Sequence, residues 1–175
     1  MRMIGGALVA LGVVLTGCSS SDTTGIPSCP RTAIIADASR LVQYGAGSVG
    51  TSQAVALEAR ITRIGGECVY PKNKGSVTVA MNITIEARRG TELVAASTPS
   101  VGYFVAIVDA DQRVIGRAEF NAPMEFKSGV RQVAVIEELE QRIPLPAGKA
   151  AAGFDVLVGF LLSAEQLNLN RATVR

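Results

Sequence analysis

SVTVAMNITIEAR, residues 76–88, is the stretch on which the fold turns. Val77, Val79, Met81, Ile83, Ile85 and Ala87 are apolar, while Ser76, Thr78, Asn82, Thr84, Glu86 and Arg88 are polar. Successive side chains of a strand point to opposite faces, so this period of two describes a strand buried on one side. The preceding run repeats the device, with Val55, Leu57, Ala59 and Ile61 set against Glu58, Arg60 and Thr62. Gly65-Gly66 is expected to break that strand before Cys68-Val69-Tyr70-Pro71, because paired glycines weaken strand interiors.

Two later runs are apolar on both faces: YFVAIV at 103–108 and FDVLVGFLL at 154–162. Strands of this kind are central in a sheet, or meet a partner on the second face. Asp109-Ala110-Asp111-Gln112 supplies turn chemistry between the first of them and a run in which Val114, Gly116, Ala118 and Phe120 alternate with Ile115, Arg117 and Glu119. The spacing predicts a hairpin. Val133, Val135, Leu139 and Ile143 mark a further strand ended by Pro144 and Pro146, and 32–36 reads as a short first strand.

Seven to eight strands with polar turns between them, and no amphipathic helix separating them, argue against a parallel βαβ arrangement. The expectation is an all-β chain: an antiparallel β-sandwich of immunoglobulin-like proportions, with a small barrel second. Ser163-Ala164-Glu165-Gln166 has the capping-box pattern and predicts a short C-terminal helical turn. Residues 37–44 read equally as a helical turn or a strand.

The beginning of the chain carries a different signal. Met1-Arg2-Met3 precedes an uncharged segment, Ile4 to Gly17, of 14 residues. That is a secretory leader by layout and falls short of the ~20 residues that a membrane-spanning helix needs. Leu15-Thr16-Gly17-Cys18 has the form of a bacterial lipoprotein cleavage site. Small residues suit the peptidase, and the thiol that follows accepts diacylglycerol. The expected organisation is therefore a signal peptide over 1–17, a lipidated Cys18 with a flexible tether over 18–28, and one β-sandwich domain over 29–175. Ser19 rather than Asp follows the cysteine, which by analogy with enterobacterial sorting favours the outer membrane.

Without the leader the chain has 158 residues, enough for one domain with a real core. It would carry 16 basic and 15 acidic side chains, too even a balance to draw in nucleic acid by long-range attraction. With Cys18 assigned to lipid, Cys29 and Cys68 remain, an even pair in an oxidising compartment. They either close a loop of 40 residues as a disulfide or stay as two free thiols. Two cysteines without histidine do not complete a tetrahedral metal site.

Several pieces together resemble a family of uncharacterised alphaproteobacterial lipoproteins. They are Cys29-Pro30, Cys68-Val69-Tyr70, Ala87-Arg88-Arg89-Gly90, the 103–109 strand, and the C-terminal VGFLLSAEQL of 158–167 followed by Asn170-Arg171. The resemblance implies a lipid anchor on Cys18 and a Cys29–Cys68 bridge. It implies no reaction and adds no catalytic residue.

The side chains point the same way. The chain has no histidine, which removes Ser-His and Cys-His nucleophilic sites. Glu137, Glu138 and Glu140 cluster, but Glu138 and Glu140 would share a strand face with Arg142, and a catalytic carboxylate pair needs one member raised by burial. Asp109 and Asp111 lack the later ligands and the glycine of a calcium loop. Asn82-Ile83-Thr84 is a glycosylation sequon by chance within a strand. The spacing of Gly45, Gly47 and Gly50 imitates a dinucleotide motif without the helix it requires. The expected protein is not an enzyme and has no cofactor, catalytic residue or metal site. It is an outer-membrane-anchored periplasmic lipoprotein that acts as a structural, assembly or protein-interaction module, touching the membrane through Cys18 and an envelope protein partner. The alternative is a binder of a small ligand or glycan with a pocket between the sheets. An enzyme of cell-wall metabolism using Glu138, Glu140 or Asp155 ranks last.

Overall fold

The computed structural model describes residues 28–45, 55–72, 75–91, 98–147 and 149–173. Its centre is the alternating stretch of 76–88, which forms β4 (Ser76–Arg89). Val77, Val79, Met81, Ile83, Ile85 and Ala87 are all buried. On either side lie β3 (Val55–Val69) and β7 (Gln132–Pro144), both antiparallel to β4, and β2 (Arg40–Tyr44) completes the sheet in the order β2-β3-β4-β7.

The second sheet has the order β1-β8-β5-β6, formed by β1 (Arg31–Ile34), β8 (Asp155–Phe160), β5 (Ser100–Val108) and β6 (Val114–Pro123). The two doubly apolar runs are its two central strands, as their composition required. Only β1 pairs in parallel, along β8; the other ladders are antiparallel. Among the described residues the sheets together make a β-sandwich of eight strands. Tyr103, Val105, Val156, Val158 and Phe160 from one sheet join Leu57, Met81, Ile83 and Ile85 from the other in one apolar core.

One expectation is corrected. Gly65-Gly66 does not break the strand: β3 runs unbroken for 15 residues. The irregularity lies earlier, where Ile61 pairs with Ile85 but Arg63 already pairs with Thr84, leaving Thr62 as an extra residue. Such a bulge shifts the face on which every later side chain lies. Before it, Leu57, Ala59 and Ile61 point inward; beyond it, Ile64 and Cys68 pack against the core. Gly66 is used for close approach, since a Cβ there would stand 2.4 Å from the Ala80 carbonyl oxygen.

The ambiguous stretch 37–44 is both things in turn. A single 3-10 turn (Ala36–Ala38) carries the chain from one sheet to the other and leads into β2. Gly159 makes room for it, because a Cβ at 159 would lie 2.8 Å from the Ala38 methyl.

The capping box forms as expected at the start of α1 (Ala164–Thr173). The Ser163 N–H donates to Gln166 Oε1 at 2.8 Å, and the Gln166 N–H donates to Ser163 Oγ at 3.2 Å. Polar side chains then fasten this helix to the crossover. Gln166 donates to the Val42 carbonyl, and buried Asn170 donates to the carbonyls of Asp37 and Arg40 at 2.8 and 2.7 Å. Asn170→Ala strips both carbonyls of their donor and is expected to cost about 1–3 kcal/mol. In urea denaturation this should appear as a lower midpoint at unchanged slope.

Candidate functional site

Among the described residues the disulfide, the Arg31–Asp155 pair and the Asp109 hairpin lie at one end of the sandwich, where the described chain begins. Cys29 precedes β1 and Cys68 lies near the end of β3, on adjacent edges of the two sheets. They are joined as a disulfide with Cα atoms 5.8 Å apart, which resolves the alternative of two free thiols. The bulge at Thr62 makes this possible, because it turns Cys68 toward the second sheet. The Tyr70 hydroxyl donates to the Ser28 carbonyl and fixes the chain one residue earlier still. Partial burial holds the Tyr70 phenol above its ordinary pKa.

Ion pairs tie down the same end. Arg31 grips Asp155 with two hydrogen bonds, at 3.0 and 2.7 Å, across the parallel β1–β8 pair. Asp109 and Asp111 are hairpin residues, as their spacing predicted. Asp109 Oδ1 accepts from the Asp111 and Arg113 N–H groups, while its Oδ2 takes the Arg113 guanidinium at 2.9 and 2.7 Å. The Arg113 side chain, followed by these backbone donors, holds the Asp109 carboxyl below its usual range. Between this hairpin and the segment after β7 lies a recess of about 320 Å³, lined by Ile115, Pro144, Pro146 and Phe154 with Lys149 at its side.

The carboxylates considered for catalysis are separated by the pleat. Glu137 faces inward, where buried Tyr103 donates its hydroxyl to Glu137 Oε2 at 2.9 Å. Desolvation, reinforced by that carboxylate, holds the Tyr103 phenol far above its ordinary pKa. Glu138 and Glu140 face outward and are exposed, opposite Asn82 and Ala80 of β4. Glu67, which sequence reasoning did not single out, stands on the other side of Ala80. These three carboxylates rim an open recess on the outer face of the sheet. The register that brings Glu67 there depends on the bulge. Asp155 is committed to Arg31.

Farther along the same outer face, burial pushes the Glu58 carboxyl up, but Arg40 at 2.9 Å and Arg60 at 3.2 Å outweigh it and hold it below the usual range. The described recesses thus lie on the outer faces and ends of the sandwich, with apolar side chains filling the space between the sheets.

Among the described residues no group of three or more histidine, cysteine or acidic side chains could hold a metal ion. No described helix is long and apolar enough to cross a membrane. Cys18 and the glycines at 47 and 50 lie outside the described residues. The chain matches no family model, no curated protein and no solved structure at a significant level.

Proposed function

We propose that this chain is a lipid-anchored lipoprotein of the bacterial envelope, held through Cys18 at the periplasmic face of the outer membrane, where it serves without catalysis as a scaffold or assembly partner. The observation that carries the reading is the fastening of the chain at residues 28–31. A disulfide, the Tyr70 hydrogen bond and the Arg31–Asp155 pair all grip the segment immediately after the tether. A folded domain pulled on by its own membrane anchor needs its first residues secured, and this one secures them covalently.

The non-enzymatic half of the proposal draws on the side-chain chemistry. With no histidine in the chain, acid–base work would fall to carboxylates. Glu138 and Glu140 stand in solvent and Asp155 is neutralised by Arg31, so none has the desolvated setting that a general acid requires.

Intact mass and membrane fractionation of the wild type beside Cys18→Ala test the anchor. The wild type should lack residues 1–17, carry three acyl chains and sediment with the outer membrane, while Cys18→Ala should carry none. A wild-type protein that is soluble and unacylated would overturn the proposal. Crosslinking in intact cells should then recover a specific envelope protein with the anchored form.

A further inference from the structure

We infer that the end of the sandwich carrying Cys29 is itself a membrane-contact surface, seated on the headgroup layer with Val69, Val114 and Ile115 against lipid. The inference rests on the anchored reading above and says what that reading leaves open: how the domain stands on the membrane.

The first argument is reach. Ser28 follows Cys18 by ten positions, and a random-coil chain of ten residues has a typical end-to-end distance of about 16–19 Å. That is shorter than the long axis of a strand such as β3, with 15 residues, so an anchored domain has this end nearest the bilayer. The second is the placing of apolar surface. Among the described residues six large hydrophobic side chains are exposed, and three of them, Val69 at 57%, Val114 at 62% and Ile115 at 49%, lie at this end. They come from different strands, β3 and β6, and so from both sheets. A strand-end valine left in water is ordinary by itself. Three at the one end that the tether holds against lipid put apolar side chains there on both sheets, and Ile115 also lines the recess beside Pro144, Pro146 and Phe154.

The third argument is charge. Desolvating an ion at a membrane surface is costly unless the ion is paired. Here Arg31 is matched with Asp155, and Arg113 with Asp109 and Asp111, while exposed Glu67, two residues before Val69, stands on the outer face of its sheet toward Glu138 and Glu140. Lys72 and Lys149 make no ion pair among the described residues, and their flexible stems let the ammonium groups reach anionic headgroups while the apolar side chains sit lower.

The absence of tryptophan from the chain makes the test direct, because one introduced tryptophan reports alone. Full-length acylated protein carrying Ile115→Trp, Val69→Trp or, at the opposite end, Val130→Trp is reconstituted into phosphatidylethanolamine–phosphatidylglycerol vesicles containing brominated lipid. All three positions are exposed, so the fold is not at stake. Side chains seated at the headgroup boundary should lose about half or more of their fluorescence to the bromines, and Val130→Trp should lose little. If the proteins float with the vesicles but the tryptophans at 115 and 69 are quenched no more than that at 130, the contact surface is wrong and the anchor stands. If acylated protein is not obtained and nothing floats, the anchored reading fails and takes this inference with it.

Discussion

Removing the Cys29–Cys68 bridge, by the paired substitution of both cysteines with alanine or by reductant, is expected to cost roughly 4 kcal/mol of stability. The two residues are 39 apart in sequence, and the bridge removes the freedom of that loop from the unfolded chain. For a domain of this size the loss corresponds to a fall in Tm of about 8–16 °C. The damage should also be local in the folded state. β1 has four residues, pairs with β8 alone and lies at a sheet edge, so without the bridge its start is held only by non-covalent contacts, chiefly the Tyr70–Ser28 hydrogen bond and the Arg31–Asp155 pair. Amide exchange at residues 32–34 should therefore accelerate ahead of exchange in β4. Equal stability with and without reductant, measured by urea denaturation, would show that the bridge does not secure the chain.

Raising the pH above 10 is expected to destabilise the protein steeply through Tyr103. In the unfolded chain this phenol ionises near pH 10. In the folded protein it is fully buried and bonded to Glu137, and both desolvation and the carboxylate keep it protonated well above that pH. The folded pKa is raised, so the contribution is complete below pH 10 and is lost as pH rises, because only the unfolded state releases the proton. The loss should approach about 1.4 kcal/mol per pH unit while the folded phenol keeps its proton. Tyr103→Phe keeps the ring beside Phe120, whose centroid is 5.3 Å away, and removes the ionisation. At neutral pH it should be less stable by about 1–2 kcal/mol, since Glu137 loses its donor. Above pH 10 its stability should decline less steeply than that of the wild type. Parallel urea midpoints for the two proteins from pH 8 to 11 would decide it, and identical alkaline slopes would refute the assignment.

Much of the architecture was legible in the residues. Val77 to Ala87 alternate because each strand residue faces opposite its neighbour, and that rule acts over two positions, within reach of inspection. The same local logic identified the central strands at 103–108 and 154–162, the Asp109–Gln112 turn and the Ser163–Gln166 cap. It also separated Glu138 and Glu140, which are exposed, from the apolar face of β7. The Cys29–Cys68 pair was reached by counting, with bridge and free thiols both left standing until the distance between them was known.

What only the tertiary structure decided depends on residues far apart in the chain. The extra residue at Thr62 is defined by the register of β3 against β4, and it alone accounts for Ile64 and Cys68 facing inward and for Glu67 joining Glu138 and Glu140 outside. Asn170 holds α1 to carbonyls 130 and 133 residues away, contacts with no periodic trace. Glu137 shares the inward parity of Val135 and Leu139, but its partner Tyr103 belongs to the other sheet. Alternation is set by the pleat of a single strand and is written locally. Register, docking and the gathering of Val69, Val114 and Ile115 at one end arise only when strands distant in sequence are laid side by side.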